Sequence, residues 1–336
     1  MVLKKRKEGA MMKKMKWFLV VCMLVVFMVG CSGKAAQSDQ VIVYSNADEE
    51  AIAEMKKALD TNGLKGQYII QAIGTSELGG KMIAEGNKME ADVVTMASYF
   101  IDTAQQKHDL FVPIEAKQET LIEKTAYANP ILGNMGAIFV NTELLKSKNL
   151  PMPTSIKDLT KPMYKNLVAI PNIMDSSTGW LLVQAILGAY GEKEGQQVLK
   201  DLITNVGPHL ESSGSGPIKK VLTGEVAVGF GLRAQAVKAK AEGKPIQYID
   251  PTEGNYALTE SVAVVRKGGE KEKKAEKVAN VITEHARAGL LTLYPVALYK
   301  GETVDATHEA KYAKQWDAPL TVELLEQHQQ FFKNAQ

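Results

Sequence analysis

The chain has 336 residues, with 40 Lys and Arg against 38 Asp and Glu and a formal net charge of +2. Within residues 1–30, Lys4, Lys5, Arg6, Lys7, Lys13, Lys14 and Lys16 stand against Glu8 alone, so residues 31–336 carry a net charge of −4. That balance excludes a nucleic-acid surface built on bulk charge, and with Cys22 and Cys31 its only cysteines the later chain has no disulfide or thiolate chemistry.

The opening residues read as a targeting segment. Lys13, Lys14 and Lys16 precede the apolar run "WFLVVCMLVVFMVG" (17–30), and Cys31 follows Gly30. This is the pattern of a bacterial lipoprotein signal, although Met28 stands where leucine is usual. Cleavage after residue 30 would leave Cys31 carrying lipid (palmitate among it), tethering the protein to the membrane on its extracellular or periplasmic face. The alternative is an uncleaved anchor, for which the run is short. Residues 31–40, with "SGKAAQSDQ", read as a flexible tether. Met12 is an alternative start to Met1.

After the tether, strand and helix patterns alternate. "VIVYSN" (41–46) is a strand, "DEEAIAEMKKALD" (48–60) a helix with acids in its first turn, and "QYIIQAIG" (67–74) a strand. "TSELGGKMIAEG" (75–86) is a helix capped by Thr75 or Ser76; "ADVVTMAS" (91–98) and "FIDTAQQKHDL" (100–110) are a third strand and helix. This alternation means an α/β fold with helices on both faces of a parallel sheet. Ligands of such sheets bind beyond the strands' carboxyl ends. Ser45–Asn46, Gly74–Thr75–Ser76 and Ala97–Ser98–Tyr99 fall there.

The pattern restarts near "NMGAIFVN" (134–141). Strands are expected at 166–172, 225–231, 246–251 and 258–268. Helices are expected at 191–206, 270–286, with Val278, Val281, Ile282 and His285 on one face, and 322–335.

No constellation for catalysis or metal binding stands out. The five histidines (108, 209, 285, 308 and 328) have no ligand spacing, and there is no nucleophile motif or Walker loop. No enzyme activity, cofactor or metal is expected. What repeats is a Gly/Ser/Thr turn entering a helix, at 74–76, at Ser176, Ser177, Thr178 and Gly179, and at 213–216 including Ser215. Bare N–H groups at a helix start, with hydroxyl donors, suit phosphate, sulfate or carboxylate. Ordinary capping is the alternative for any single turn. Arg233 could add a guanidinium or pair with an acid. Tyr44, Tyr99 and Tyr256 could wall a cleft or fill core, and Glu253 and Asp175 could meet a ligand amine or merely solvate loops.

"VIVYSN", "GAIFVNTELL" (136–145), "PTSIKDLTKPMYKNLVAIPN" (153–172), "SSGSGPIKKVLTGEVAVGFG" (212–231) and "EGNYALTESVAVVRKGGEKEKKAEKVANVI" (253–282) together resemble extracellular solute-binding proteins of ABC importers. The branch is that of ferric-iron, thiamine and 2-aminoethylphosphonate binders. Ile156 and Asn166 depart from its tryptophan and glycine. The resemblance implies a two-lobed, type II periplasmic-binding-protein-like fold, each lobe a mixed, mostly parallel sheet flanked by helices. The implied lobes are 41–135 plus 262–336 and 136–261, hinged near 134–140 and 256–263. It further implies a monomer that encloses a small anionic ligand and passes it to a permease and its ATPase. The sequence lacks the adjacent tyrosines of ferric binders, since Tyr294 and Tyr299 are separated by "PVAL", and has few tryptophans for a thiamine site. The phosphonate branch is matched better, by "NVGPHLESSGSGPIKKVLTGEVAVG" (205–229) and "DSSTG" (175–179). It would assign Ser176, Ser177, Thr178 and Gly179 from one lobe, and Thr75, Ser76 and Ser98 from the other, to phosphonate oxygens. Iron or thiamine binding, or a surface enzyme, are the alternatives.

Overall fold

Three short parallel strands begin the folded chain: β1 (Val41–Ser45) lies between β2 (Tyr68–Ala72) and β3 (Val93–Ala97). The computed structural model describes residues 39–123 and 125–336; the signal segment, Cys31 and the tether up to residue 38 lie outside them. Residues Val41–Gln336 form one unit. Among the described residues no helix is long and apolar enough to cross a membrane.

Helix α1 (Glu49–Leu59) follows from its ends and its face. Asp48 accepts from Ala51 N at 3.1 Å, Glu49 and Glu50 sit at the positive end of the dipole, and Ala51, Ile52, Met55, Ala58 and Leu59 are buried. Helix α2 (Thr75–Glu85) differs from expectation: it starts at Thr75 itself after Gly74, and no side chain caps it. Thr75 and Ser76 lie inside the first turn, where their hydroxyls are released from capping. Helix α3 (Ser98–His108) begins two residues earlier than read from sequence.

Two long strands join this half of the molecule to the next. β4 (Asn129–Asn141) pairs antiparallel with β9 (Asn255–Val264) over residues 129–135. Over 136–141 it pairs with β7 (Val228–Leu232) and β8 (Ile246–Ile249). β5 (Val168–Pro171) adds in parallel to β7 and carries β6 (Leu210–Glu211) at its far edge. β10 (Ala313–Lys314) lengthens the ladder at the start of β9. The sheet order is β2-β1-β3-β9-β4-β7-β5-β6. β9 runs antiparallel to β3, so the sheet is mixed rather than purely parallel.

Helices α4 (Thr142–Ser147), α5 (Ser177–Val206), α6 (Gly216–Thr223) and α7 (Arg233–Ala241) flank the second half, and α8 (Gly269–Val281) and α9 (Arg287–Leu293) return to the first. α5 is broken at Gly191 (φ 65°, ψ −173°), a backbone state that L side chains avoid, so the helix read at 191–206 is its second segment. Val278, Val281 and Ile282 are buried as expected, but His285 is exposed. A π turn at Ile282–Ala286 widens the helix there and rotates the face by about one position.

Trp180, on α5, is fully buried and meets Tyr99 of α3 edge-on at 4.8 Å and 82°. Its indole Nε1 donates to His328 Nδ1 at 2.7 Å, on the last helix α10 (Val322–Lys333). Gln329 and Gln196 add bonds across the same contact, to Ile173 O and Phe331 O. The closing helix therefore packs on α5, at the point where α5 meets α3. The Arg287 guanidinium clamps Glu302 at 2.6 and 2.8 Å while donating to Ile131 O, pinning the start of β4.

Burial lowers the His328 pKa to about 4, below the usual histidine value of 6.5. The unfolded chain then takes up this proton before the fold does, so stability drains as pH falls from about 6.5 towards 4, by roughly 3 kcal/mol for this group. In urea melts across that window, His328→Gln should have a visibly flatter pH slope than wild type. Parallel slopes would remove His328 from the account.

Candidate ligand-binding cleft

A cleft of about 580 Å³ opens where the carboxyl end of β1 and the starts of α1 and α2 face the starts of α5 and α6. Its wall contains two groups of residues with opposite chemistry.

The first group is alcohols and amides. Ser176, Ser177 and Thr178 line the cleft from the start of α5, and Ser212, Ser213, Gly214 and Ser215 from the turn into α6. Ser176 is a true N-cap, its Oγ accepting from Thr178 N at 3.3 Å. Among the described residues, the hydroxyls of Ser177 and Thr178 have no hydrogen-bond partner. No side chain caps α6. The two turns touch: a methyl on Gly214 would collide with Thr178 Oγ1, and would stand 3.4 Å from Ser176 Oγ. Lys219, exposed one turn into α6, lines the same wall. Cap and cradle are thus both present, on different atoms of one turn.

The second group is acceptors. Glu260, on β9 opposite Ala97 of β3 and Leu132 of β4, is 3 % exposed and lines the cleft. Its Oε1 accepts from Asn46 Nδ2 at 3.2 Å and Asn134 Nδ2 at 3.1 Å, and Asn46 also donates to Thr75 Oγ1 at 3.2 Å. Desolvation, then the charge of Asp48, push its carboxyl up to about 7, against the two amide bonds. Tyr294 adds its phenol to the same wall, and burial with the neighbouring Asp48 holds it far above the usual phenol range. Asp48, Glu49, Glu50, Asp175 and Glu242 make the lining rich in acid, with Lys219 and Lys238 opposing. Two contacts cross between α1 and α7: Gln235 Nε2 donates to Asp48 Oδ2 at 3.2 Å, and Lys238 Nζ meets Glu50 at 2.6 Å with both side chains near half exposed.

The structure brings together part of the sequence-derived set. Asn46, Thr75, Ser176, Ser177, Thr178 and Ser215 line one cleft, as does Asp175. Others point elsewhere. Ser45 is fully buried, its Oγ accepting from Thr95 Oγ1 at 2.6 Å. Ser76 is in the first turn of α2 but outside the lining. Ser98 is bound to Ser261 Oγ at 2.8 Å and Thr259 O at 3.1 Å. Gly179 packs against the Ile173 backbone, where any side chain would clash. Arg233 is 4 % exposed and spent on Asp250, at 2.7 and 3.2 Å, and on the carbonyls of 307–309. Tyr256 is buried with its hydroxyl against Gly188 and its ring 6.1 Å from that of Trp316. Tyr44 and Tyr99 are likewise core. Glu253 accepts from Tyr190 OH at 2.6 Å and Lys157 N at 2.9 Å, away from the cleft.

Glu260, Asn134, Asp48, Gln235 and Tyr294 were not singled out as site residues from sequence. Glu260 had a signal: an acid inside the apolar run "ALTESVAVV" is a charge where a strand should bury carbon. Among the described residues no group of three or more His, Cys, Asp or Glu is arranged to hold a metal.

Residues 91–314 match the family model of bacterial extracellular solute-binding proteins, and the chain belongs to that family. It is 28% identical over 212 residues to the Fe(3+)-binding periplasmic protein of Serratia marcescens, a match spanning 60% of each chain. The periplasmic binding protein P5PA superposes with a TM-score of 0.72 at 16% identity, covering 88% of this chain and 99% of that one. The periplasmic binding protein AfuA from Actinobacillus pleuropneumoniae, solved with fructose-6-phosphate bound, superposes with a TM-score of 0.66 at 19% identity over 88% and 93%. These likenesses show the two-lobed type II fold.

Two outcomes follow from this geometry. Arg233→Ala would strand the buried Asp250 charge, so chemical denaturation should register a loss of about 3–5 kcal/mol; a neutral result would mean that the pair is not buried in solution. For Glu260 the fold holds a proton that the unfolded chain releases above about 4.5, so its contribution is intact at pH 4.5 and lost as pH rises through about 7. Glu260→Gln should therefore melt above wild type at pH 8, by an amount equivalent to roughly 3 kcal/mol at most, and close to it at pH 4.5. Equal melting temperatures at pH 8 would contradict the buried carboxyl.

Proposed function

We propose that this protein is the extracellular substrate-binding component of an ABC importer that captures a small organophosphonate, such as 2-aminoethylphosphonate, between its lobes. It then hands the ligand to a permease whose ATPase drives uptake. In this reading the protein is a monomer, held at the membrane by lipid on Cys31.

One observation carries the ligand class: two hydroxyl-rich helix starts are packed turn against turn on one wall, with Lys219 beside them. Tetrahedral oxyanions have three oxygens to satisfy, and charge-assisted bonds from alcohols and helix-start amides are short and strong. The likeness to a protein solved with a sugar phosphate supports an oxyanion head group. Iron is served less well by these residues. Tyr294 is the cleft's tyrosine among the described residues, its phenol held protonated by burial and then by neighbouring acids, and Tyr299 donates to Pro130 O at 2.7 Å.

Thermal-shift titration discriminates these ligands. 2-Aminoethylphosphonate should raise the melting temperature, as a ligand of the folded state must, while ferric citrate and thiamine should not; a shift with iron alone would overturn the reading. Thr178→Val should weaken phosphonate binding about tenfold or more, the value of a bond to a charged group. Gly214→Ala, whose methyl displaces the Thr178 hydroxyl, should lose a similar factor. Unchanged affinity in both would take this wall out of the site.

A further inference from the structure

The phosphonate cradle uses one wall of the cleft and leaves the other chemically unbalanced. Four side-chain acceptor oxygens that face the lining are buried and have no hydrogen-bond partner: Asn46 Oδ1, Asn134 Oδ1, Gln235 Oε1 and Glu260 Oε2. Buried acceptors are nearly always satisfied in folded proteins, so four on one wall are an anomaly. Their orientation is fixed by the rest of the network. Both asparagines turn their amides to Glu260 Oε1, at 3.2 and 3.1 Å, which leaves their carbonyls facing away from it. Flipping either amide would point a carbonyl at a carboxylate. Asp48, whose two oxygens are engaged by Ala51 N and Gln235, adds negative charge to the same place.

Resting on the phosphonate reading, we propose that Glu260, with Asn46, Asn134 and Asp48, forms a subsite for a protonated primary amine, so that the cargo is a zwitterion with oxyanion and ammonium at opposite walls. An ammonium brings three N–H donors and no acceptor, the complement of a wall whose four unpaired acceptors outnumber its one unpaired hydroxyl, that of Tyr294. A proton on Glu260 would offer one donor only. The bound cation would also neutralise the field that Asp48 and Glu260 exert on one another, which makes the amine a requirement for tight binding rather than a tolerated substituent. Hydroxyl- or methyl-terminated phosphonates supply at most one donor and no charge.

The test is calorimetric titration of the full mature chain with three probes: 2-aminoethylphosphonate, propylphosphonate (the same skeleton with methyl for ammonium) and putrescine. Wild type should bind the amino compound at least thirtyfold tighter than propylphosphonate. Glu260→Gln should weaken 2-aminoethylphosphonate at least tenfold and change propylphosphonate less than threefold. Asp48→Asn, in which asparagine still caps α1, should act in the same direction and stands in if the Glu260 variant misfolds. Equal wild-type affinities for the two phosphonates, or variants that weaken both alike, would overturn the subsite. Binding of putrescine with loss on Glu260→Gln, and of neither phosphonate, would sink the phosphonate reading and leave the amine subsite standing. Binding of none of the three would sink both.

Discussion

The antiparallel register of β4 on β9 is the constraint that the cleft depends on. Within thirteen residues β4 pairs first with β9 and then with β7 and β8, so both halves of the molecule share a single continuous sheet. Ladder bonds buried in a sheet centre are costly to break. A side chain placed on that ladder is therefore fixed more firmly than any residue on a loop. Glu260 occupies such a position, between Ala97 on one side and Leu132 on the other, beside an irregularity in pairing at Pro130/Leu132. Bulges of that kind re-aim neighbouring side chains. The fold thus holds a dehydrated carboxyl in a strand that lacks freedom to move it back towards water.

The two walls of the cleft rest on opposite physics. The hydroxyl wall costs the fold little, because alcohols at helix starts satisfy backbone donors in any case and Ser176 does so here. The acceptor wall is expensive, since desolvated acids and unpaired carbonyls oppose folding. Local rules broken without a compensating internal partner are the expected mark of a functional site. By that criterion the acceptor wall is the more informative of the two, although the hydroxyl wall is easier to see in the sequence.

Much of the fold was legible because two periodicities differ. Alternating strand and helix patterns located β1 to β3 and α1 to α3 within a few residues, and the small residues after β1 and at α2, α5 and α6 do reach one cleft. What failed was direction. Ser45 and Ser98 stand at strand ends as supposed, yet their hydroxyls turn to Thr95 and Ser261. Arg233 follows its strand as supposed, yet its guanidinium is engaged by Asp250 and three carbonyls. Chain position tells which end of a sheet a residue occupies, but partners 17 to 163 places away in the chain decide where its side chain points. Glu260 was the reverse case: its pattern was plain, but its significance needed Asn46 and Asn134 beside it. The packing of α10 on α5 depends on a Trp180–His328 bond across 148 positions, which no local pattern encodes.

The contacts between α1 and α7 at the mouth of the cleft are few and weak. Glu50 and Lys238 hold each other with both ends partly in water, where such pairs are worth little and are screened by salt. Asp48 would keep its bond to Ala51 if Gln235 withdrew, so α1 stays capped whether or not the helices touch. Parting the two helices therefore removes one solvent-shared ion pair and one part-buried hydrogen bond and leaves the cap of α1 in place. The mouth is a weak clasp, two light contacts between helices that are each stable without them.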